Sequence, residues 1–244
     1  MTVEKINAEF PGLDETRRRE HGWGVQTILF KRVLGCLLAA AGFASAQGAG
    51  DAPLAPNAQA QAANAPPQVV ASAVAAVEKL GMDVTKGDFK VAIDRMNPEW
   101  MARLAKQTPG GREAIQKQIE GAAKRLAQEG VSIVSSVPMG QPRTFEVSPG
   151  KRLEKVNGQN VEVLVFTKWM VLVPTLTKYR MLLKGDPKPV FVEKIGFQVA
   201  VADKGKDNWT FIDGSNLTVS ALRRVYPTLP KDMRLPPIEE RQAK

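Results

Sequence analysis

From about residue 68 to residue 130, apolar side chains recur at helical spacing. Val70, Val74 and Val77 fall at i, i+4 and i+7, and Gly81 stands where a C-terminal cap belongs. Thr85-Lys86-Gly87-Asp88 resembles a capping box, with Phe89, Ile93 and Met96 on one face after it. Asn97-Pro98-Glu99 restarts a helix with a capping amide, a proline at the first position and an acid facing the helix dipole. Trp100, Met101 and Leu104 form its apolar side. Thr108-Pro109-Gly110-Gly111 opens the longest helix, striped by Ile115, Ile119, Ala122 and Leu126 and ended by Gly130.

From Val131 the period changes to two. Val131 to Val137 reads as a strand, and Thr144 to Val147 as a short second one. Lys151 to Val156 and Val161 to Val173 flank Asn157-Gly158, a strong hairpin signal. Along the second of these, Val161, Val163, Val165, Trp169, Val171 and Val173 alternate with Leu164, Phe166, Met170 and Leu172. A strand apolar on both sides predicts helices over one face and another layer over the other. Thr177 to Lys184 alternates cleanly, with Tyr179, Met181 and Leu183 facing in. Val190 to Ala202 follows, with Gly196 marking a bend, and Asn208 to Ile212 closes the run. A short helix over Val219 to Tyr226 and the proline-rich Pro227 to Pro237 complete the chain. Helices first and strands afterwards predict an α+β domain over residues 68–236, with one strongly curved antiparallel sheet, and a tail at 237–244.

The residues before this domain change the picture of where it works. Lys31-Arg32, the apolar stretch Val33 to Phe43 and Ala44-Ser45-Ala46 have the layout of an export signal. The apolar stretch is shorter than the roughly 20 residues that span a bilayer, so an uncleaved anchor is the lesser alternative. Val33-Leu34-Gly35-Cys36 is a poor lipidation box because its apolar stretch follows the cysteine. Arg17-Arg18 is a twin-arginine pair set too far upstream. Residues 1–24 are long and charged for such a signal, and a start near Val25 or Leu29 would account for them. Residues 47–67, rich in Ala, Gln, Pro and Asn, cannot bury enough surface to order themselves and read as a linker. The expected location is the periplasm or exterior of a Gram-negative-like bacterium.

Composition then removes chemistry. His21 and Cys36 are the only residues of their kinds, and both precede residue 47. Past that point no histidine-based triad, thiol nucleophile or ordinary transition-metal site can be built, and no cofactor motif is present. Residues 47–244 carry 28 basic and 20 acidic side chains, a net +8. That surplus suits an anionic envelope component, although the charges are dispersed and solubility alone explains them. Nucleic acid is not expected, since no stacking-aromatic pattern accompanies the charge.

Lys86-Gly87-Asp88-Phe89, Met96-Asn97-Pro98-Glu99-Trp100 and Pro109-Gly110-Gly111-Arg112-Glu113 resemble the helical half of the nuclear transport factor two-like superfamily. Asn208 to Gly214 and Tyr226 to Pro230 resemble the closing strand and tail of its exported bacterial branch. The resemblance implies a cone of helices packed into a curved sheet around an apolar cavity. That cavity is used for isomerase, cyclase or dehydratase chemistry, or only for docking a ligand. Without histidine, an acid–base role would fall to Asp94, Asp213, Glu162, Glu193 or Tyr179. Each has an ordinary alternative: Asp94 as an exposed helix acid, Tyr179 as a core tyrosine, Asp213-Gly214 as a turn. Met96, Trp100, Phe166, Trp169, Met170, Tyr179, Met181 and Phe197 are the expected lining of an apolar pocket, or else plain core. Gly110-Gly111 could hold an anion but reads as a helix start. The leading expectation is a binding module taking a small hydrophobic ligand or a partner. An isomerase or dehydratase using Asp94 or Tyr179, and a partner-docking domain using the outer sheet face or the proline-rich tail, are the alternatives. A homodimer is compatible with all three.

Overall fold

The computed structural model describes residues 64–156, 158–182 and 188–243. The expected export signal and most of the expected linker lie outside the described residues. Helix α1 (Pro67–Thr85) buries Ala73, Val77, Leu80 and Gly81. It does not stop at Gly81. A Cβ at Gly81 would stand 2.2 Å from the carbonyl oxygen of Ser136, so the glycine admits a strand against the helix instead of ending it. Helix α2 (Lys90–Asp94) is a short piece, and α3 (Pro98–Gln107) begins as its sequence directs. The Asn97 side chain accepts from the Trp100 amide at 3.0 Å and donates to Thr210 Oγ1 at 3.1 Å. Helix α4 (Gly111–Gln128) starts from Gly110, held at φ +83°. Ile93, Met101, Ile115 and Ile119 join α2, α3 and α4 in one apolar cluster.

One open, curved antiparallel sheet of six strands follows, giving an α+β fold. Its strands are β1 (Val131–Pro138), β2 (Arg143–Val156), β3 (Gln159–Leu182), β4 (Pro189–Asp203), β5 (Thr210–Asp213) and β6 (Glu239–Gln242). Helix α5 (Val219–Arg223) precedes β6. Strands β1 and β2 lie end to end along one edge of β3, while β6 and β5 share the far edge of β4.

The two strands expected over Val161–Val173 and Thr177–Lys184 are one strand, running through Pro174. A proline inside a sheet normally removes a ladder bond. Here the Pro174 carbonyl accepts from the Met139 amide at 2.8 Å, so its nitrogen, which points the same way, faces the β1–β2 side. Pairing there passes from Pro138–Thr175 to Arg143–Leu172, a break in the neighbouring strand. No partner carbonyl is left waiting. The short strands expected at Thr144–Val147 and Lys151–Val156 likewise merge into β2.

Both sheet faces are covered at the centre. Val171, Val173, Ala200, Ala202, Trp209 and Phe211 pack with Ala73, Val77 and Leu80 of α1. On the opposite face, Phe145, Met170, Leu172, Phe197 and Val199 pack under Leu222, Tyr226, Leu229 and Met233. The second layer foreseen from the doubly apolar strand is therefore the C-terminal segment. The proline-rich stretch expected as a docking tail supplies core, and residues 239–242 of the expected tail form β6.

Candidate functional site

Paired residues share a sheet face, so the face under α1 can be followed away from its apolar centre. Beyond Val171 and Val173 it continues on β3 as Thr175, Thr177, Tyr179 and Met181. Opposite them on β4 and β5 stand Lys194, Gln198 and Asp213. The lining turns polar there, against the expectation of an apolar wall.

Asp213 sits at the centre of this strip. Its carboxylate accepts from Gln198 Nε2 at 3.1 Å and from the Ser215 amide at 3.1 Å. Lys194 Nζ reaches Ser215 Oγ at 3.3 Å and Glu240 at 3.7 Å. Burial pushes the Asp213 carboxyl above the usual range, although Ser215, Lys194 and Gln198 pull against it. Burial, with the Asp213 and Glu240 charges beside it, raises the Tyr179 phenol far enough that it stays protonated in any physiological buffer. The strip therefore sets a neutral phenol, a donor at physiological pH, beside a carboxyl whose pKa burial raises.

The Asp213 bonds also serve the turn that follows. Gly214 donates to the Phe197 carbonyl at 3.1 Å, and a Cβ on Gly214 would stand 2.4 Å from that oxygen. Asp-Gly turn chemistry is visible here. The raised carboxyl has a consequence for stability. An acid whose folded pKa exceeds its unfolded value costs nothing below the unfolded value, and destabilises progressively as pH rises through the interval between them. Asp213→Asn is isosteric and keeps both partners once Gln198 turns its amide. Thermal unfolding followed from pH 4 to pH 8 should show a smaller loss of stability with rising pH in D213N than in wild type. An equal or steeper decline in the variant would refute the raised pKa of Asp213.

The other sequence candidates are scattered. Asp94 lies on the surface of α2, paired to Lys90 at 2.5 Å, a cation one turn before it rather than after. Glu162 is exposed and paired to Lys151 at 2.7 Å. Glu193 is held below the ordinary carboxylate range by Lys178 and then Arg241, which suits an ion pair and not an acid catalyst. Of the expected pocket residues, only Tyr179 and Met181 share the polar strip. Met170 and Phe197 are core on the opposite face, with Trp100 packed against them. Trp169 lies on the α1 side beneath Lys204 Nζ, 4.6 Å from the ring centre, and Met96 joins the α2–α4 cluster. These side chains do not line one wall. Sequence reasoning missed Lys194, Gln198, Ser215 and Glu240, and polar residues inside an alternating strand were the available signal. Among the described residues no group of three acidic, histidine or cysteine side chains could hold a metal ion.

Phe166 belongs to a second feature. Strand β4 leaves β3 at the pair Lys168–Asp203, and the Lys204 amide makes a last bond to the Thr167 carbonyl at 2.8 Å. Beyond it, residues 149–156 and 159–166 pair only with each other among the described residues. They form a two-stranded arm. Its base is kinked at Ser148, which has φ +60°, followed by Pro149 and Gly150. Its turn is closed at Gly158, with φ +79°. Leu153, Leu164 and Val161 on the arm are 65%, 56% and 41% exposed, against the expectation that this strand is covered throughout.

Comparison with protein-family models, with curated proteins and with solved structures returns no match for this chain.

Proposed function

We propose that the protein is a non-enzymatic interaction module of the bacterial cell envelope, and that the β2–β3 arm is its contact element. One observation carries the reading: an isolated ribbon that presents apolar side chains to water. Two-stranded ribbons are marginally stable at best in water, and three or more strands with an apolar face are needed for independent stability. Leu153 and Leu164, diagonal neighbours on one face of the ribbon, support a contact site there. The Lys31–Ala46 pattern supports export, and the net +8 past residue 46 supports an anionic neighbourhood. Helices laid on one face of a curved sheet support the likeness to the nuclear transport factor two-like superfamily, with its half-cone as the finer architecture. Because the strip under the helices is polar, the apolar contact is assigned to the arm and not to a pocket.

The test is a photo-activatable residue placed at Leu164 or Leu153 in the full-length protein within its parent cells. A discrete adduct with a polypeptide, missing when the same residue replaces the exposed Lys117 of α4, is the expected outcome. No adduct from either arm position overturns the reading.

A second reading is favoured by the raised Asp213 carboxyl beside Tyr179. A carboxyl of raised pKa and a neutral phenol on one face could polarise a carbonyl, as an isomerase or dehydratase requires. Turnover of a small carbonyl substrate that stops in both D213N and Tyr179→Phe would establish it.

A further inference from the structure

Resting on the interaction reading, we infer that the arm's partner is a second copy of this chain, joined edge to edge along residues 160–166 of β3. The two edges of the arm are not alike. The β2 edge carries Pro149, Lys151, Arg152 and Lys155, the residues with which sheet proteins blunt an edge against pairing. The β3 edge reads Asn160-Val-Glu-Val-Leu-Val-Phe166, with no proline, no glycine and a single charge. Residues of this kind on an unpaired edge form a template for another strand. The blunted edge and the open edge belong to one hairpin, so the direction of docking is set.

The sequence of the open edge is suited to its own reverse. Antiparallel pairing centred on Val163 sets Val163 against Val163, Val161 against Val165 and Asn160 against Phe166. Paired residues share a face, so Val161, Val163 and Val165 of both copies would form one apolar patch. On the opposite face the two Leu164 side chains would be diagonal neighbours across the axis, and Phe166 would lie opposite Asn160. The lone acid, Glu162, would stand opposite Leu164 and not its own counterpart. It is already neutralised by Lys151 of its own hairpin at 2.7 Å, so no unpaired like charges meet. Such an interface is isologous and closes as a two-fold dimer instead of propagating. The ribbon becomes four strands wide, above the three-strand threshold for stability.

The experiment uses the full chain with Cys36→Ser. Val163→Cys should cross-link to a covalent dimer under mild oxidation, because directly opposed antiparallel residues lie about 4.5–5.5 Å apart between Cα atoms. Leu153→Cys, on the blunted strand, should not. Val163→Lys sets two cations side by side. It should move the monomer–dimer midpoint up by about tenfold or more in sedimentation, with thermal unfolding of the monomer unchanged. A wild-type chain that stays monomeric at tens of micromolar overturns the proposal. So does a dimer that V163K does not weaken, or one that cross-links through residue 153 instead. A photo-adduct from the arm to a different polypeptide overturns self-pairing while the interaction reading survives. No adduct of any kind overturns both.

Discussion

Deleting residues 216–244 should leave the chain without a cooperative unfolding transition. The deletion removes Leu217, Leu222, Tyr226, Leu229 and Met233, none more than 8% exposed, from the face built by Phe145, Met170, Leu172, Phe197 and Val199. Each buried apolar side chain of this size contributes about 1.5–3 kcal/mol. Five of them together match or exceed the roughly 5–15 kcal/mol by which a whole domain is stable. The exposed sheet face would in addition be a site for aggregation. Circular dichroism melting of the truncated protein is the measurement. A sharp transition close to the wild-type temperature would show that the C-terminal segment is a dispensable cover and not half of the core.

The second large effect is a reversal of sign. Glycine to alanine inside a helix ordinarily stabilises by up to about 1 kcal/mol. Gly121→Ala in α4 should do so, because its new methyl would meet only Arg125 Nη1, at an ordinary 3.6 Å. Gly81→Ala should do the opposite. Its Cβ would lie 2.2 Å from the Ser136 carbonyl oxygen and 3.1 Å from the carbonyl carbon, so the backbone of α1 or β1 must move. Overpacking of that kind costs about 1–3 kcal/mol or more, which outweighs the propensity gain. The midpoint should fall by roughly 4–12 °C for about 2–3 kcal/mol in a domain of this size. Two alanine variants with the same sign of change would disprove the close approach of helix and strand.

Gly81 also shows where sequence reading stops. A glycine after an apolar helical stripe is a proper C-cap signal, and nothing local tells it apart from a glycine needed by a strand 55 residues later. Asn97-Pro98-Glu99 was legible because every partner in a helix cap is within three residues. The hairpin closed by the Val156–Gln159 pair was legible for the same reason. Pro174 was misleading: its missing amide matters only if a neighbouring strand faces it, and the break between β1 and β2 is invisible one strand at a time. Asp94 is the exposed helix acid that its sequence also allowed, paired with Lys90 one turn behind it. Strand β6, Glu-Glu-Arg-Gln, is exposed at every position and carries no apolar alternation to read. The polar strip escaped because it is assembled across β3, β4 and β5, with neighbours fixed by register and not by spacing. The arm escaped because alternating valines look the same whether or not a third strand arrives.

Trp209 anchors α1 from far along the chain. Its indole nitrogen donates to Ser72 Oγ at 2.8 Å across 137 positions, and Ser72 in turn donates to Asp207 across 135. During synthesis at about 5–20 residues per second, roughly 7–27 s pass between the emergence of the first helix and that of its anchor. For that interval the apolar stripe of the first helix has no sheet to cover it, so docking of α1 is among the last steps the growing chain can complete.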